Sequence, residues 1–443
     1  MPRPNYPPPA TAGHRGALLL LCSAVLIAQI DTSVVNLAVH AIGTSLHAPL
    51  PALQWVLDSY NLSYAALLMT GGTLADLLGR RRTLRAGAAV FLLGSLLAGL
   101  SPSIGWLIAG RVLAGIGAAL LLSASLALIP AIWDAPQARA QATGVWAGTN
   151  GAAVAIGPTL GGWLIQSAGW HSAFLLTVPI SAALWVGAPR ALPESLGGQR
   201  RLDLKGQIFA GLALTSLAGA AIVPRYAPLG LAAALLSAWL FLRSEQRAGS
   251  GAMIPVALLR SRQLRSASGV AMAMTFGMYG VLFLLPLTWQ RLGTLDVAQV
   301  GLALLPMSLT FVALSHRSGA WSGRLGRRQL IWEGMALIGS GILLLAFSRS
   351  GRLLGEDALG LVLTGAGMAL STGPLLDVAV SAAEPARSGT VSGVINTARM
   401  VGASLGVAVL GSLYAVQGFG AAMGAAAVVA LAGSLLAWST LPA

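Results

Sequence analysis

Asp31 stands halfway along an apolar run at residues 16–42, and Arg111 stands inside another at 104–130. An ionisable side chain at mid-bilayer depth costs a few kcal/mol or more, so it marks a cavity, a partner or a proton path. A desolvated carboxylate can alternate between protonated and charged forms, which is what a proton-coupling site requires. The competing reading of Asp31 is a structural carboxylate capped by the hydroxyls of Thr32 and Ser33. Arginine keeps its proton. Arg111 therefore acts through its fixed charge, either by changing the energetics of proton release at Asp31 or as one side of a buried ion pair.

Further polar residues fall within apolar runs. Gln29, Asn36, Asn150 and Asn396 can line a substrate cavity. Asp58, one turn into its run, reads first as a solvated interfacial residue and second as a cavity residue. Asp377 and Arg399 can pair across neighbouring helices or bind substrate, and Glu333 is near enough to a cluster of arginines to partner them. Gly144, Gly148, Gly151, Gly157, Gly161 and Gly162, with Pro158, permit close packing and a bend in one helix.

These residues are positioned by a chain of 443 residues that is 56% hydrophobic and only 9% charged. A soluble protein has no room to hide so much apolar side chain. Runs of about 20 apolar residues suit helices crossing a hydrocarbon core about 30 Å thick. They occur near 16–42, 54–75, 83–101, 104–130, 141–165, 170–190, 203–223, 226–243, 266–288, 298–316, 330–348, 353–378, 390–413 and 418–440. The expectation is an all-α integral membrane protein with fourteen transmembrane helices. Continuous runs exclude a β-barrel, whose segments are short and alternating. The single cysteine, Cys22, excludes a disulfide framework and a thiolate metal site. No Walker loop, HExxH or Ser/His/Asp constellation is present, so neither hydrolysis nor ATP coupling is indicated, and no cofactor is expected. The five histidines are scattered, which argues against a membrane enzyme.

The net charge of +14 would raise nucleic-acid binding in a soluble protein, but here the arginines lie in short loops and report topology. With the N-terminus inside, 21 of the 27 Lys and Arg residues fall in inner segments: Arg3, Arg15, Arg80, Arg81, Arg82, Arg85, Arg139, Arg190, Arg200, Arg201, Lys205 and ten more beyond Lys205. Four fall outside: Arg225, Arg291, Arg349 and Arg352. Both termini are therefore expected in the cytoplasm. Trp55, Trp106, Trp170 and Trp289 at the outer ends fit an aromatic belt.

One loop occurs twice. Gly72, Gly79, Arg80 and Arg81 return 247 positions later as Gly319, Gly326, Arg327 and Arg328. A repeat of this kind implies two parallel six-helix bundles with two helices between them, and a working site at the interface near the midplane. The expected organisation is a disordered tail at 1–15, a six-helix bundle at 16–190, a two-helix insert with linkers at 191–265, and a second six-helix bundle at 266–443. The loop reads as a gate in which Asp76 pairs with an arginine; a plain positive-inside turn is the alternative.

The segment GGTLADLLGRRRTL at 71–84 resembles the loop motif of the major facilitator superfamily, with Leu77 where a basic residue is usual. RVLAGIGAALLL at 111–122 is similar to its fourth-helix arginine motif, and AIGPTLGGWL at 155–164, carrying Gly157, Pro158, Gly161 and Gly162, to its antiporter motif. QIDTSVVNLAV at 29–39 resembles the first-helix motif of the fourteen-helix drug:H⁺ antiporter branch. His40 replaces a usual proline there, and Thr177 stands where an asparagine is common in the sixth helix. The resemblance implies a proton-coupled exporter of lipophilic drugs or toxic small molecules in a bacterial inner membrane, working by alternating access as a monomer, with protons and a small molecule as its partners. Export of one metabolite or endogenous antibiotic is the alternative.

Overall fold

The computed structural model describes residues 12–197, 202–249, 254, 258, 260–347, 355–381 and 388–442. Residues 1–11 of the expected tail, and Arg200, Arg201, Arg349, Arg352 and Arg387, lie outside them. Among the described residues fourteen helical rods run in order. The first four are α1 (Ala12–Ser45), α2 (Leu50–Leu78), α3 (Arg80–Gly99) and α4 (Ile104–Ile132). Then come α5 (Pro136–Ala168), α6 in two pieces (Ser172–Leu175 and Thr177–Ala191), α7 (Leu204–Ile222) and α8 (Ala227–Ala248). The remainder are α9 (Arg262–Arg291), α10 in two pieces (Val297–Ala303 and Leu305–Leu325), α11 (Arg327–Ala346), α12 (Gly355–Ser381), α13 (Ser388–Gln417) and α14 (Phe419–Thr440). Helix α1 begins at Ala12, so the last residues expected in the tail are helical.

The chain is a multi-pass membrane protein, and helices are its form because a lipid-exposed backbone must satisfy its own hydrogen bonds. Eleven of the helical segments are long and apolar enough to cross a bilayer by themselves. Helices α2, α3 and α5 fall short for a visible reason. Helix α2 carries buried Gln54, Asp58 and Asn61, α3 opens on Arg80, Arg81 and Arg82, and the first half of α5 includes Gln137, Arg139, Gln141 and Asn150.

The 247-residue offset extends beyond the loop. Advancing α2 and α3 by it gives the bounds of α10 and α11, 297–325 and 327–346. It also carries Gly87 and Gly94 of α3 onto Gly334 and Gly341 of α11. Each glycine lies where its helix meets the next one closely. Gly94 abuts Gly110 and Ala114 of α4, while Gly341 abuts Gly360 and Thr364 of α12. A side chain at these positions would force the helices apart.

At the end where α1 passes to α2, residues of α1, α2, α4 and α6 share one apolar core with α9, α10 and α13. Trp170 and Trp289 belong to that core, 4% and 2% exposed, rather than to an aromatic belt. They are large enough to fill the joint between helices, whereas Trp106, 56% exposed, matches the belt expectation. Toward the arginine-rich end, α1 to α6 form a second core, on which Met400 of α13 also packs.

Candidate functional site

Asp31 and Arg111 lie on different helices, and the fold brings them together. Arg111 Nη1 donates to Asp31 Oδ2 in a fully buried ion pair. The guanidinium also donates from Nε to the Val56 carbonyl at 3.1 Å and lies 4.3 Å from the centre of the Tyr60 ring. Tyr60 is fixed in turn by its hydroxyl, which donates to the Ala28 carbonyl at 3.0 Å. The arginine is thus held from two neighbouring helices, α1 and α2, and one carboxylate oxygen, Asp31 Oδ1, is left buried without a hydrogen-bond partner. The hydroxyls that would cap Asp31 in the competing reading do otherwise. Thr32 donates to the Ala28 carbonyl and Ser33 to the Gln29 and Ile30 carbonyls, since a hydroxyl on a helix reaches its own preceding turn more easily than a neighbouring side chain. Asn36 turns its amide to the Thr32 carbonyl and buries its own oxygen unpartnered, and Gln29 is half-buried.

Asp58 is fully buried, not interfacial, because α13 covers the α2 face that carries it. Neither carboxylate oxygen completes a hydrogen bond, and the Ser404 hydroxyl of α13 is likewise buried without a partner. One turn earlier Gln54 donates to the Val407 and Ala408 carbonyls at 2.9 and 2.8 Å. Gln290 of α9 likewise donates to the Leu37 carbonyl of α1 at 3.1 Å. These bonds tie the first six helices to the last six at the end away from the arginine loops.

Helix α5 supplies the other tie. Gly157 and Gly161 lie on Ser33 and Val34 of α1, Gly162 lies on Val297 and Ala298 of α10, and the Pro158 carbonyl meets Gly301. Gly151 is the last contact toward the arginine-rich end, beside Phe311 and Val312, while Gly144 and Gly148 have no neighbour within 4 Å. The packing role expected of all six glycines therefore holds for four, because α5 and α10 part beyond Gly151. Asn150, next to Gly151 on α5, is half-buried, as is Asn396 on α13.

Arg399 and Asp377 do not pair. Asp377 is exposed near the end of α12, whereas Arg399 is partly buried in the middle of α13 with its Nε unpartnered. Glu333 is also not an arginine partner: it accepts from Gln329 Nε2 at 2.8 Å, one turn away on its own helix. Thr177 is buried at the break in α6 and donates to Ser95 Oγ and the Phe174 carbonyl, both at 3.0 Å.

In the first arginine loop, Gly79 has φ +106° and forms the sharp passage from α2 to α3; Gly326, at φ +90°, does the same between α10 and α11. That left-handed conformation explains the glycine in both copies. Arg80 pairs with Asp76 at 3.2 Å. Arg81 pairs with Glu194 at 3.5 Å and donates to the Leu192 carbonyl at 3.2 Å, and Arg82 lies 3.7 Å from the same carboxylate. The strand of chain after α6 is stitched on by Arg80 N to Ser195 O and Gly197 N to Asp76 O, both 2.9 Å. Glu194 was not singled out by sequence, although it is the one acid between α6 and Asp203. Gly72 has no close neighbour, so packing does not explain it. In the second loop Arg327 reaches Ser381 at 3.5 Å and Arg328 stacks on Trp438 at 5.0 Å. Each loop is thus braced within its own group of six helices.

The profile of the Major Facilitator Superfamily matches residues 21–407. The chain is 34% identical to the multidrug resistance protein Stp of Mycobacterium tuberculosis over 87% of its own length and 73% of that protein. It is also 34% identical to the methylenomycin A resistance protein of Bacillus subtilis, over 96% and 94% of the two chains. Among solved structures, the POT family transporter PepTSo superposes with a TM-score of 0.73 at 14% identity, covering 97% of each chain. At that identity the likeness concerns the fold.

Proposed function

The chain belongs to the major facilitator superfamily, and from that premise we propose that it is a proton-coupled antiporter that exports lipophilic drugs or toxic small molecules. In this reading all fourteen helices span a bacterial inner membrane with both termini in the cytoplasm. Residues 16–190 and 266–443 act as two bundles rocking about a midplane site, with 191–265 inserted between them, and the unit is a monomer. The joint at the α1–α2 end and the parting of α5 from α10 at the arginine-rich end then correspond to an inward-facing state.

The observation that carries the reading is the buried Asp31–Arg111 pair. A permanent salt bridge is a poor stabiliser in a low-dielectric interior, because desolvation offsets most of its attraction. It becomes useful if the carboxylate is protonated and released in turn as the bundles reorient. The spare oxygen of Asp31 offers the place where such a proton would sit. Gln29, Asn36, Asp58, Asn150, Asp377, Asn396 and Arg399 are the cavity candidates; Asp58 and Asp377 are the least favoured, one sealed in a joint and the other at a helix end. A dedicated export role for one antibiotic is the second reading, supported by the relative named for methylenomycin A resistance.

The test is drug-susceptibility profiling of a pump-deficient bacterium expressing the chain, with and without an uncoupler. Raised tolerance to several compounds that the uncoupler abolishes supports multidrug export, and tolerance to a single compound supports the second reading. Tolerance indifferent to the uncoupler contradicts proton coupling.

A further inference from the structure

One charge near the midplane is unused by the coupling pair. Arg399 has no carboxylate within ion-pair distance among the described residues, since Asp31 is taken by Arg111 and Asp377 is exposed at the end of another helix. Its Nε is buried and unpartnered. Two buried phenols face the Arg399 turn: Tyr64 lies midway along the contact of α2 with α13, which runs from Gln54 on Val407 to Met69 on Gly393, and Tyr279 lies one turn beyond Thr275 of α9, whose hydroxyl donates to the Arg399 carbonyl at 2.6 Å. Neither phenol has a hydrogen-bond partner among the described residues, in contrast to Tyr60, whose hydroxyl is bonded to Ala28. Asn396 lies on the same side of α13, one turn earlier.

The three residues come from both groups of six helices. A compound held among them would touch both, as alternating access demands. Its chemistry follows from the charges. A partly buried cation without a counterion carries an uncompensated desolvation cost, which an acidic ligand removes and a cationic one adds to. A guanidinium presents several N–H donors in a fixed fork suited to a carboxylate or phenolate. The two hydroxyls can donate to the same oxygens, and their rings offer apolar faces to the remainder of the molecule.

We propose that Arg399, with the hydroxyls of Tyr64 and Tyr279, is the subsite for the acidic group of the transported compound, so that the substrates are lipophilic organic anions and acidic phenols. This rests on the exporter reading and adds a substrate class to it. Asp31 carries the proton beside the fixed charge of Arg111, and Arg399 selects the cargo.

The experiment is equilibrium binding to the purified full chain in lipid nanodiscs, read by fluorescence anisotropy. The probes are fluorescein, which is anionic, and tetramethylrhodamine methyl ester, a cation on the same xanthene skeleton. Wild type should bind fluorescein roughly tenfold or more tightly than the rhodamine. Arg399→Gln should erase that preference by weakening fluorescein alone, and Arg399→Lys should restore part of it. Tyr64→Phe and Tyr279→Phe should each weaken fluorescein about threefold while sparing the rhodamine. Preference for the rhodamine in wild type, or equal loss of both dyes in Arg399→Gln with thermal stability unchanged, overturns the proposal. Arg399 could instead serve to neutralise Asp58. In that case Arg399→Gln and Asp58→Asn would rescue each other's thermal stability without altering the ratio of the two dyes, which also overturns it. No gradient is applied, so a failure of proton coupling would leave these results untouched.

Discussion

The first six helices place an acid and a basic residue together at mid-membrane, Asp31 on Arg111, whereas the last six place Arg399 there with no acid paired to it among the described residues. Yet the two groups share their scaffold: the loop glycines, both Gly-Arg-Arg turns and the α3 and α11 packing glycines recur at one offset. At that same offset Asp31 corresponds to Met278, Arg111 to Ala358 and Tyr64 to Phe311. Backbone geometry is repeated while the chemistry is not. Loops and close contacts serve the same mechanical task in each group, and a repeat preserves them. The ionisable groups serve different tasks, and duplicating a buried charge would cost several kcal/mol without a partner to offset it.

The largest effect that sharpens this contrast is expected from Arg111→Ala. It strands the Asp31 carboxylate in a dry interior, and removing one partner of a buried pair costs about 3–5 kcal/mol. Loss of folded protein in fluorescence-detected size exclusion, recovered in the Arg111→Ala/Asp31→Asn double variant, is the expected outcome. Equal yields for the single and double variants would mean that the pair is not mutually dependent.

Next in size is Gly162→Val. The added side chain would strike the Val297 backbone and open the joint between α5 and α10, so transport should fall at least about tenfold. Gly148→Ala, with nothing within 4 Å, should stay within about twofold of wild type in the same transport assay. Matching losses would show that these glycines act through something other than contact.

Glu194→Gln should have a smaller effect. The carboxylate braces Arg81 and Arg82, and partly exposed pairs are worth about 0.2–1 kcal/mol each. Transport should slow a few-fold while substrate affinity holds, and Asp76→Asn should behave alike. Glu333→Gln, whose partner is Gln329, should change transport least of all, within experimental scatter.

Much of this was legible in the sequence. All fourteen helical rods overlap the apolar runs, and for eleven of them length and hydropathy suffice, whereas α2, α3 and α5 are too polar to qualify by themselves. The pairing of Asp31 with Arg111 was also within reach, since each is a lone charge in an apolar run. What failed depended on which side of a helix meets which neighbour. Asp58 was read as solvated from its depth along α2, but the cover comes from α13, more than three hundred residues away. Trp170 and Trp289 were assigned to a belt by depth, and rotation about the helix axis sends them inward. Glu194 was overlooked because it lies in a polar stretch with no periodicity, although a single acid amid arginines was a usable signal.

The most direct test of the central claim uses proteoliposomes containing Asp31→Asn. Under a pH gradient wild type should drive substrate against its concentration, and the variant should not. Both should still exchange labelled for unlabelled substrate in counterflow without a gradient, since the amide mimics the protonated carboxyl and leaves the cavity in place. Gradient-driven transport at the wild-type rate in Asp31→Asn would contradict the assignment of proton coupling to this residue.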